Sequence, residues 1–445
     1  MNISGEQSAT ASRARAGLLV ASRGLVLISI IELFAVGFKY LVQVVVARLA
    51  GGEAYGVYIL ALTWANTLAI PAGLGLSAIV IRYVPTYLAD ENWARLHGLI
   101  HFVRGWTLTS STIVAIVSVV SVYALKGSAT DAALMVALAL IPLMCLTTLQ
   151  AEILRGGGRI LTARVIPNIV QPGTVLVATL LWYWLTGALS ALDAIFSMAA
   201  ALVITACIQA GAIWRTITRH VREHIRSRER RNWSHLAAHL LSVKLSQLVL
   251  NNSDILIVGL LLGPFPAGIY AAASKTAALG TIVTQAVNLA VPPQIANFAA
   301  LGDTRSIERV VRTSARFAFF PSLAAALFLV GFSSQIMGVF GSGFQEGALC
   351  LTILALGRLV TSWTGPVGSM LNVTGHQRVS SVTYAVAAGV QVTLDFILIP
   401  HSGITGAAIA AAIAMSFWNI VLSWQAMHLL RIRLWPLPTG ASRAP

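Results

Sequence analysis

The residues of this sequence that could bind or carry a ligand are ionisable side chains inside long apolar stretches. A charged side chain costs about 2.5–3.5 kcal/mol at the centre of a membrane helix on insertion scales, so residues of this kind mark functional sites. Four cations and three carboxylates occupy such positions: Lys39, Lys244, Lys275, Arg358, Glu32, Asp254 and Asp395. In a low-dielectric cavity the cations would attract an anion. The carboxylates could couple binding to an ion or act as a gate.

Helical spacing gathers several of these residues into stripes. Glu32 and Lys39 are seven residues apart, which places them about 20° apart around one helix, and Gln43 extends the stripe. A second stripe, with spacings of three, four and three residues, consists of Lys244, Gln247, Asn251 and Asp254. We therefore predict substrate contacts at Lys39, Gln43, Lys244, Asn251, Lys275 and Arg358, and ion-coupling or gating roles for Glu32, Asp254 and Asp395. The alternative is structural, with buried ion pairs that fix the register of neighbouring helices.

Polar aromatic side chains in the same stretches offer a second kind of contact, because their faces could stack on a ring of a ligand. These residues are Tyr40, Trp64, Tyr270, Trp363 and Tyr384. Residues of these types more often form interfacial belts or pack in the core, so the sequence leaves both interpretations open.

A histidine motif suggests a metal site, but its surroundings argue against one. His220-Val-Arg-Glu-His224 matches the H-x-x-E-H pattern of one class of zinc peptidase. It lies among seven arginines between Arg215 and Arg231, which would oppose a bound dication, and no third acidic ligand is in evidence. The sequence also contains no nucleophile elbow, Walker loop or dinucleotide fingerprint. We therefore predict no metal site, no cofactor and no enzymatic activity.

The elements that must position the candidate residues are membrane-spanning helices. Hydrophobic residues make up 57% of the chain and charged residues only 10%, against roughly 25% charged residues in soluble globular domains. Apolar runs of about 20 residues, each long enough to cross a bilayer, recur along the whole length. Twelve spans are predicted, at about 24–46, 55–80, 103–125, 132–153, 165–186, 191–213, 236–262, 267–291, 314–333, 346–370, 380–400 and 403–429. The first is interpreted as a retained span rather than a signal peptide, because it contains Glu32 and Lys39 and lacks a small-residue cleavage site.

The distribution of positive charge predicts the orientation of these spans. If the N-terminus is cytoplasmic, 24 of the 30 Lys and Arg residues fall in cytoplasmic segments, and the outer loops keep only Arg48 and Lys126. This bias predicts that both termini are cytoplasmic. It also accounts for the net charge of +15 without nucleic acid as a partner.

Two short sequence motifs in the first half of the chain are repeated in the second half. Leu49-Ala-Gly-Gly-Glu-Ala-Tyr-Gly-Val-Tyr58 returns 212 positions later as Leu261-Leu-Gly-Pro-Phe-Pro-Ala-Gly-Ile-Tyr270. Ile153-Leu-Arg-Gly-Gly-Gly-Arg159 is echoed by Met370-Leu-Asn-Val-Thr-Gly-His-Gln-Arg378. Repetition at half-chain spacing predicts two lobes with the binding site at their seam. We predict lobes at 1–213 and 236–445, joined by a basic cytoplasmic linker at 214–235. The same offset pairs Glu32 with Lys244 across the seam.

The ordered motifs resemble those of a known transporter family. Arg48-Leu-Ala-Gly-Gly-Glu-Ala-Tyr-Gly-Val-Tyr58, Gly73-Leu-Gly-Leu-Ser77 and Arg82-Tyr-Val-Pro-Thr-Tyr87 resemble the start of bacterial O-antigen-type polysaccharide flippases. Asp254-Ile-Leu-Ile-Val-Gly259, Met370-Leu-Asn-Val-Thr-Gly375, Leu394-Asp-Phe-Ile-Leu-Ile-Pro400 and Gly403-Ile-Thr-Gly-Ala-Ala408 resemble the second half of the same family. These flippases belong to the multidrug/oligosaccharidyl-lipid/polysaccharide exporter superfamily.

The resemblance implies two six-helix lobes around a central cavity, in an inner-membrane protein that moves a polyprenyl-diphosphate-linked oligosaccharide between leaflets by alternating access. The sugar rings of this substrate could stack on the polar aromatic residues named above. Its partners would be membrane lipid, glycosyltransferases and a polysaccharide polymerase. A multidrug extruder of the same superfamily would favour an acidic cavity, whereas here four cations face three acids inside the spans and a fourth, Glu152, near an inner end. Lipid II flippases have fourteen spans rather than twelve. A membrane polymerase or ligase would place catalytic groups on a large outer loop, and none is predicted.

Overall fold

The computed structural model describes residues 3–124, 129–216, 248–430 and 432, with side chains from residue 31 onwards except at 78, 129–131, 216 and 289. Within these ranges the chain is helical and contains no strand. The first lobe contains α1 (Ile3–Ala72), α2 (Leu76–Ala89), α3 (Trp93–Ala124), α4 (Ala129–Ala139), α5 (Ile141–Gly156), α6 (Ile160–Val165), a π-helical turn (Ile166–Val170), α7 (Gln171–Thr186) and α8 (Ala191–Thr216). The second contains α9 (Leu248–Leu262), α10 (Pro264–Leu279), α11 (Ile282–Ala290), α12 (Pro292–Ala300), α13 (Thr304–Gly331), α14 (Ser333–Gly338), a 3-10 turn (Phe344–Gly347), α15 (Ala348–Thr364), α16 (Val367–Val373) and α17 (Gln377–Leu430).

These helices agree with the predicted all-α architecture of about twelve spans. Eight helices in the described ranges are long and apolar enough to cross a membrane. Two of them, α1 and α17, are broken by non-helical residues at Gly51 and Gly403, so each makes two spans. The shorter α9 and the consecutive pair α10 and α11 complete the twelve.

The repeated phrases mark glycines with positive φ at matching corners of the two lobes. Gly51 has a φ of 78° between the two arms of α1, and Gly263, 212 residues later, has a φ of 94° between α9 and α10. Gly158 and Gly375 of the second echo also have positive φ, at 76° and 88°. An L-residue with a Cβ is strained in this region of backbone space, which explains why glycine recurs there.

Each lobe has its own apolar cluster away from the seam. The first is formed mainly by α2, α3 and α5 and includes Ile79 and Leu99. The second includes Val291 and Val311, which are 212 residues further along the chain and equally buried. The predicted linker at 214–235 lies, apart from its first three residues, outside the described ranges.

A side-chain cap fixes the start of α13 at one end of the second lobe. Asp303 accepts hydrogen bonds from the Ser306 amide, at 3.0 Å, and from the Ser306 hydroxyl. These hydrogen bonds lower the pKa of the Asp303 carboxyl. They also satisfy backbone and side-chain donors at the first turn of the helix.

The two lobes meet closely at one end of the molecule. There the second arm of α1, residues 52–72, lies directly on α10. A Cβ at Gly56 would lie 2.1 Å from the Pro264 carbonyl oxygen, and a Cβ at Gly268 would lie 2.8 Å from the Gly56 Cα. We call this contact, made by Gly52, Gly56, Phe265 and Gly268, the glycine seam.

Polar and aromatic contacts reinforce the glycine seam. Arg48 of the first lobe donates from Nε to the Val339 carbonyl of the second at 2.5 Å. The Tyr55 ring packs against Phe340 and Phe344, with ring centroids 6.5 and 5.8 Å apart. The lobes are therefore closed against each other at this end.

Candidate functional site

A cavity of about 470 Å³ lies between the lobes, away from the glycine seam. Residues of α1, α3 and α5 line one side, and residues of α9 and α10 line the other. Its polar lining includes Thr63, Asn66, Thr148, Asn251, Asn252, Ser274 and Lys275. Its lining on the α1 side runs from Thr63 to Gly73, which lie seven to seventeen residues beyond Gly56, or about 10–25 Å along the chain at 1.5 Å per helical residue. We call this space the seam cavity, and it contains two predicted contacts, Asn251 and Lys275.

A second cavity, of about 340 Å³, lies within the first lobe and adjoins the seam cavity. The two share Asn66, Met144 and Thr148 in their linings. The ionisable residues of the first-lobe cavity are Lys39, Glu152, Arg155 and Arg164. Lys275 is close enough for its charge to interact with that of Lys39. The two cavities therefore adjoin, and each is lined by at least one cation.

Glu32 and Lys39 are joined through Asn168 and Arg164. Lys39 donates from Nζ to Asn168 Oδ1 at 2.6 Å, and Asn168 Nδ2 donates to Glu32 Oε1 at 3.3 Å. Arg164 forms an ion pair with the same Glu32 oxygen at 3.2 Å. Glu32 and Lys39 of the predicted α1 stripe thus face α6 and the π-helical turn.

The excess charge in this region is positive. Arg155 is paired with Glu152 at 3.2 Å, which leaves Lys39 and Arg164 sharing Glu32. Lys275 adds a further cation in the seam cavity. A cavity wall of this composition attracts anions, because Coulomb interactions are stronger away from bulk water.

Sequence reasoning missed Arg164 and Asn168 as site residues. It placed Arg164 in a cytoplasmic segment because the predicted span began only at residue 165. The structure instead starts α6 at Ile160 and turns through a π-helical segment at Pro167 and Asn168. Such turns are rare and occur frequently at functional sites. Two prolines and an asparagine within an apolar run were the signal that could have revealed this one.

A buried polar cluster in the second lobe gathers three other candidates. Asp254 accepts from the Tyr270 hydroxyl at 2.6 Å and from the Ile255 amide at 2.8 Å. Its charge interacts with those of Arg358 and Asp395. Arg358 donates to the Ser274 carbonyl at 3.5 Å and is absent from the lining of both cavities described so far.

Asp395 is the least compensated member of this cluster. It is fully buried on α17, and neither carboxylate oxygen has a hydrogen-bond partner among the described residues. Gln391, one turn earlier, is also buried with an unpartnered side-chain nitrogen within the same ranges. Burying an unsatisfied polar group is costly, and the ion-coupling or gating role of Asp254 and Asp395 stays a prediction.

The remaining candidates are elsewhere. Gln43 accepts from the Tyr55 hydroxyl at 3.2 Å, near the glycine seam rather than in the cavities. Lys244, and with it the predicted pairing with Glu32, lies outside the described residues, as does the histidine motif at 220–224. Among the described residues, no group of three or more His, Cys, Asp or Glu could hold a metal ion.

The predicted aromatic contacts separate into packing residues and one cavity residue. Tyr270 is fully buried. Tyr40 packs edge-on against Phe340 with ring centroids 5.6 Å apart, and Trp363 packs against Phe319 with ring centroids 4.9 Å apart. Tyr384 lines a third cavity, in the second lobe.

Comparison with known families agrees with this architecture. Residues 21–298 match the profile of the family described as polysaccharide biosynthesis protein. The chain belongs to this family. Residues 241–397 also match the MatE family. The predicted membership of the exporter superfamily is therefore confirmed.

One relative and two solved structures define the similarity further. The chain is 29% identical over 170 residues to the probable low-salt glycan biosynthesis flippase Agl15 of Haloferax volcanii, a match that covers 38% of this chain and only 36% of the relative. An inward-facing multidrug resistance MATE family transporter of the MOP superfamily superimposes with a TM-score of 0.76 at 14% identity, over 91% of this chain and 98% of the other. The lipid II flippase MurJ in an inward closed conformation superimposes with a TM-score of 0.70 at 14% identity, over 90% of this chain and 87% of MurJ. At these identities the structures establish a shared fold.

Proposed function

We propose that this protein is a flippase that moves a polyprenyl-diphosphate-linked oligosaccharide across the bacterial inner membrane for surface or extracellular polysaccharide synthesis. The observation that supports this most directly is a pair of adjoining cationic cavities: Lys39 and Arg164 line the one in the first lobe, and Lys275 lines the seam cavity. A diphosphate carries the opposite charge and would be attracted there. The family match and the glycan flippase relative support the same proposal.

In the proposed mechanism the glycine seam faces the periplasm and the cavities are loaded from the cytoplasm. The distribution of Lys and Arg supports this orientation, with both termini inside. The diphosphate binds Lys39, Arg164 and Lys275 while the polyprenyl tail stays in lipid. Binding requires the diphosphate to displace Glu32 from Arg164. Rocking of the lobes would then open the glycine seam and close the cavities.

The buried cluster of Asp254, Arg358 and Asp395 is proposed to couple or gate this movement. A cation entering near Asp395 would supply the partner that its carboxylate lacks in the described part of the chain. Proton uptake by Asp395 would relieve the same buried charge. Either event changes the charge balance around Arg358, whose guanidinium contacts the backbone of α10 at the seam cavity.

This proposal places the protein among transporters, without a catalytic step or cofactor. Glycosyltransferases and a polysaccharide polymerase are its expected partners. Multidrug extrusion and lipid II transport are the alternatives, because the fold is shared with a MATE transporter and with MurJ. A cationic drug would be repelled by the cations that line the cavities, which favours an anionic substrate.

The proposal is tested by replacing the cavity cations in a strain that lacks the native gene. Lys39→Ala, Arg164→Ala and Lys275→Ala should each reduce polysaccharide export and leave precursor in the inner leaflet, at an unchanged protein level in the membrane. Lys39→Arg and Lys275→Arg should be milder, since both keep the charge. Arg305→Ala, which removes an exposed cation outside the cavities, is the matched control. Normal export by all three alanine variants would refute the proposal.

A further inference from the structure

The third cavity, of about 240 Å³, differs in chemistry from the two cationic ones. It lies inside the second lobe and is lined by residues of α9, α11, α15, α16 and α17. Its polar and aromatic lining includes Asn251, Asn288, Thr361, Ser369, Tyr384 and Trp418. Among the described residues that line it, none carries a charge at neutral pH. Ligand pockets are typically about 300–1,000 Å³, so this space suits a small ring rather than a whole oligosaccharide.

Two aromatic rings form one part of the wall. The Tyr384 and Trp418 ring centroids are 6.1 Å apart with an interplanar angle of 65°, and both side chains are only partly buried. A glycine on α16 leaves room for the tyrosine, because a Cβ at Gly368 would lie 2.4 Å from the Tyr384 hydroxyl oxygen. Aromatic faces of this kind can pack against the apolar C–H faces of a sugar ring.

Two hydrogen-bonding groups with unused capacity among the described residues complete the wall. The buried Asn288 side-chain oxygen has no partner among the described residues, so it requires a donor. The Thr361 hydroxyl accepts from Asn419 Nδ2 at 3.0 Å, which leaves its own hydrogen free to be donated. Sugar hydroxyls can both donate and accept, and they match this pair of needs. The combination of aromatic rings and neutral hydrogen-bonding groups is therefore suited to a neutral sugar.

The position of this cavity relates it to the cationic ones. Asn251 lines both the third cavity and the seam cavity, and Lys275 lies in the seam cavity. A ligand could therefore place a charged group near Lys275 and a neutral ring near Trp418. The charged lining residue Lys275 lies in the seam cavity, and the aromatic pair lies in the third cavity.

We infer that the third cavity binds the first sugar of the lipid-linked oligosaccharide, and that this sugar is a neutral hexose or N-acetylhexosamine. The inference rests on the proposed function, since it takes the diphosphate to occupy the neighbouring cationic space. It assigns to Tyr384, Trp418, Asn288 and Thr361 the recognition of the sugar and not of the diphosphate. Sugar specificity would then belong to the second lobe and anion binding to the first lobe and the seam.

The test compares two probes on the purified full-length protein in nanodiscs. One probe is a short-chain prenyl diphosphate, and the other is the same compound with one N-acetylhexosamine attached to the diphosphate. We expect the wild type to bind the glycosylated probe more tightly. Trp418→Ala should weaken binding of the glycosylated probe about tenfold, or by about 1.4 kcal/mol, while the affinity for the bare diphosphate stays unchanged. Asn288→Ala should act in the same direction, and Trp418→Phe, which keeps an aromatic ring, should retain most of the gain.

Controls separate this inference from the proposed function. Trp424→Ala removes an exposed tryptophan of the same helix and should leave both affinities unchanged. Lys39→Ala should weaken both probes equally, because it acts on the diphosphate. Equal weakening of both probes by Trp418→Ala, or no effect on either, would overturn the sugar site while the proposed function stands. Failure of the wild type to bind either probe would overturn the proposed function and this inference with it.

Discussion

The glycine seam must open if the lobes alternate, and a single methyl group at Gly56 should hold it open. A Cβ there would lie 2.1 Å from the Pro264 carbonyl oxygen, whereas ordinary contact begins at 3.4 Å. The backbones would have to separate by about 1.3 Å, and both clashing groups belong to helical backbone that cannot rotate away. Overpacking of this kind costs about 1–3 kcal/mol. Gly56→Ala should therefore shift the equilibrium away from the closed seam by about 5- to 150-fold.

The shift can be measured as a distance between spin labels at the closed end. Glu53 and Glu346 are exposed, lie on different lobes and flank the seam, so labels there leave its packing intact. In a variant whose native cysteines are replaced, Glu53→Cys and Glu346→Cys carry the labels. Pulsed electron paramagnetic resonance should show a longer-distance population that grows in Gly56→Ala. Polysaccharide export should fall in parallel.

Gly105→Ala is the matched control, because a Cβ at this helical glycine of the first lobe meets nothing within 4 Å. It should leave both the distance distribution and export unchanged. A distance distribution in Gly56→Ala identical to that of the control, in protein of normal thermal stability, would refute the two-state interpretation of the seam.

Three further results are expected. Glu32→Gln should tighten binding of a short-chain prenyl diphosphate by up to about fivefold, because it removes the anion that competes for Arg164 and this partly exposed pair is worth at most about 1 kcal/mol. The control Glu308→Gln, which breaks a Glu–Arg pair on α13, should leave the affinity unchanged. Weaker binding in Glu32→Gln would contradict the proposed competition between Glu32 and the diphosphate. Asp395→Asn should make flipping in proteoliposomes insensitive to imposed proton and sodium gradients, whereas a preserved response would exclude Asp395 from coupling. Cysteines introduced at positions 128 and 227 should react with an impermeant reagent from opposite sides of the membrane, and reaction from one side would contradict the twelve-span topology.

Much of the fold could be predicted from the sequence because the governing signals are local or repeated. Apolar run length determines how many helices can cross a bilayer, and the repeated glycines mark corners such as Gly51 and Gly263 where φ is positive. The same repeat contains Gly56 and Gly268, which meet at the seam. A pattern written twice in the chain thus corresponds to a contact between the lobes.

The candidate site was harder to predict from the sequence, because it depends on packing between spans that are distant along the chain. Helical spacing placed Glu32 and Lys39 on one stripe, but it could not show that Asn168 and Arg164 face that stripe. The proximity of Asp254 and Asp395 likewise depends on how α9 and α17 pack. Spacing along one helix determines which residues share a face. It carries no information on which other helix that face meets.

The measurement that bears most directly on the central claim is flipping of a defined substrate by the purified protein in liposomes. A fluorescent polyprenyl-diphosphate N-acetylhexosamine is placed in both leaflets, and an impermeant reductant quenches only the outer one. We expect wild-type protein to make the inner-leaflet probe accessible, and Lys39→Ala to slow this strongly while Arg305→Ala does not. The contrary result is that the inner-leaflet probe stays protected from the reductant with wild-type protein, while the same protein transports a cationic drug. That result would contradict the claim that the seam cavity carries a lipid-linked diphosphate sugar.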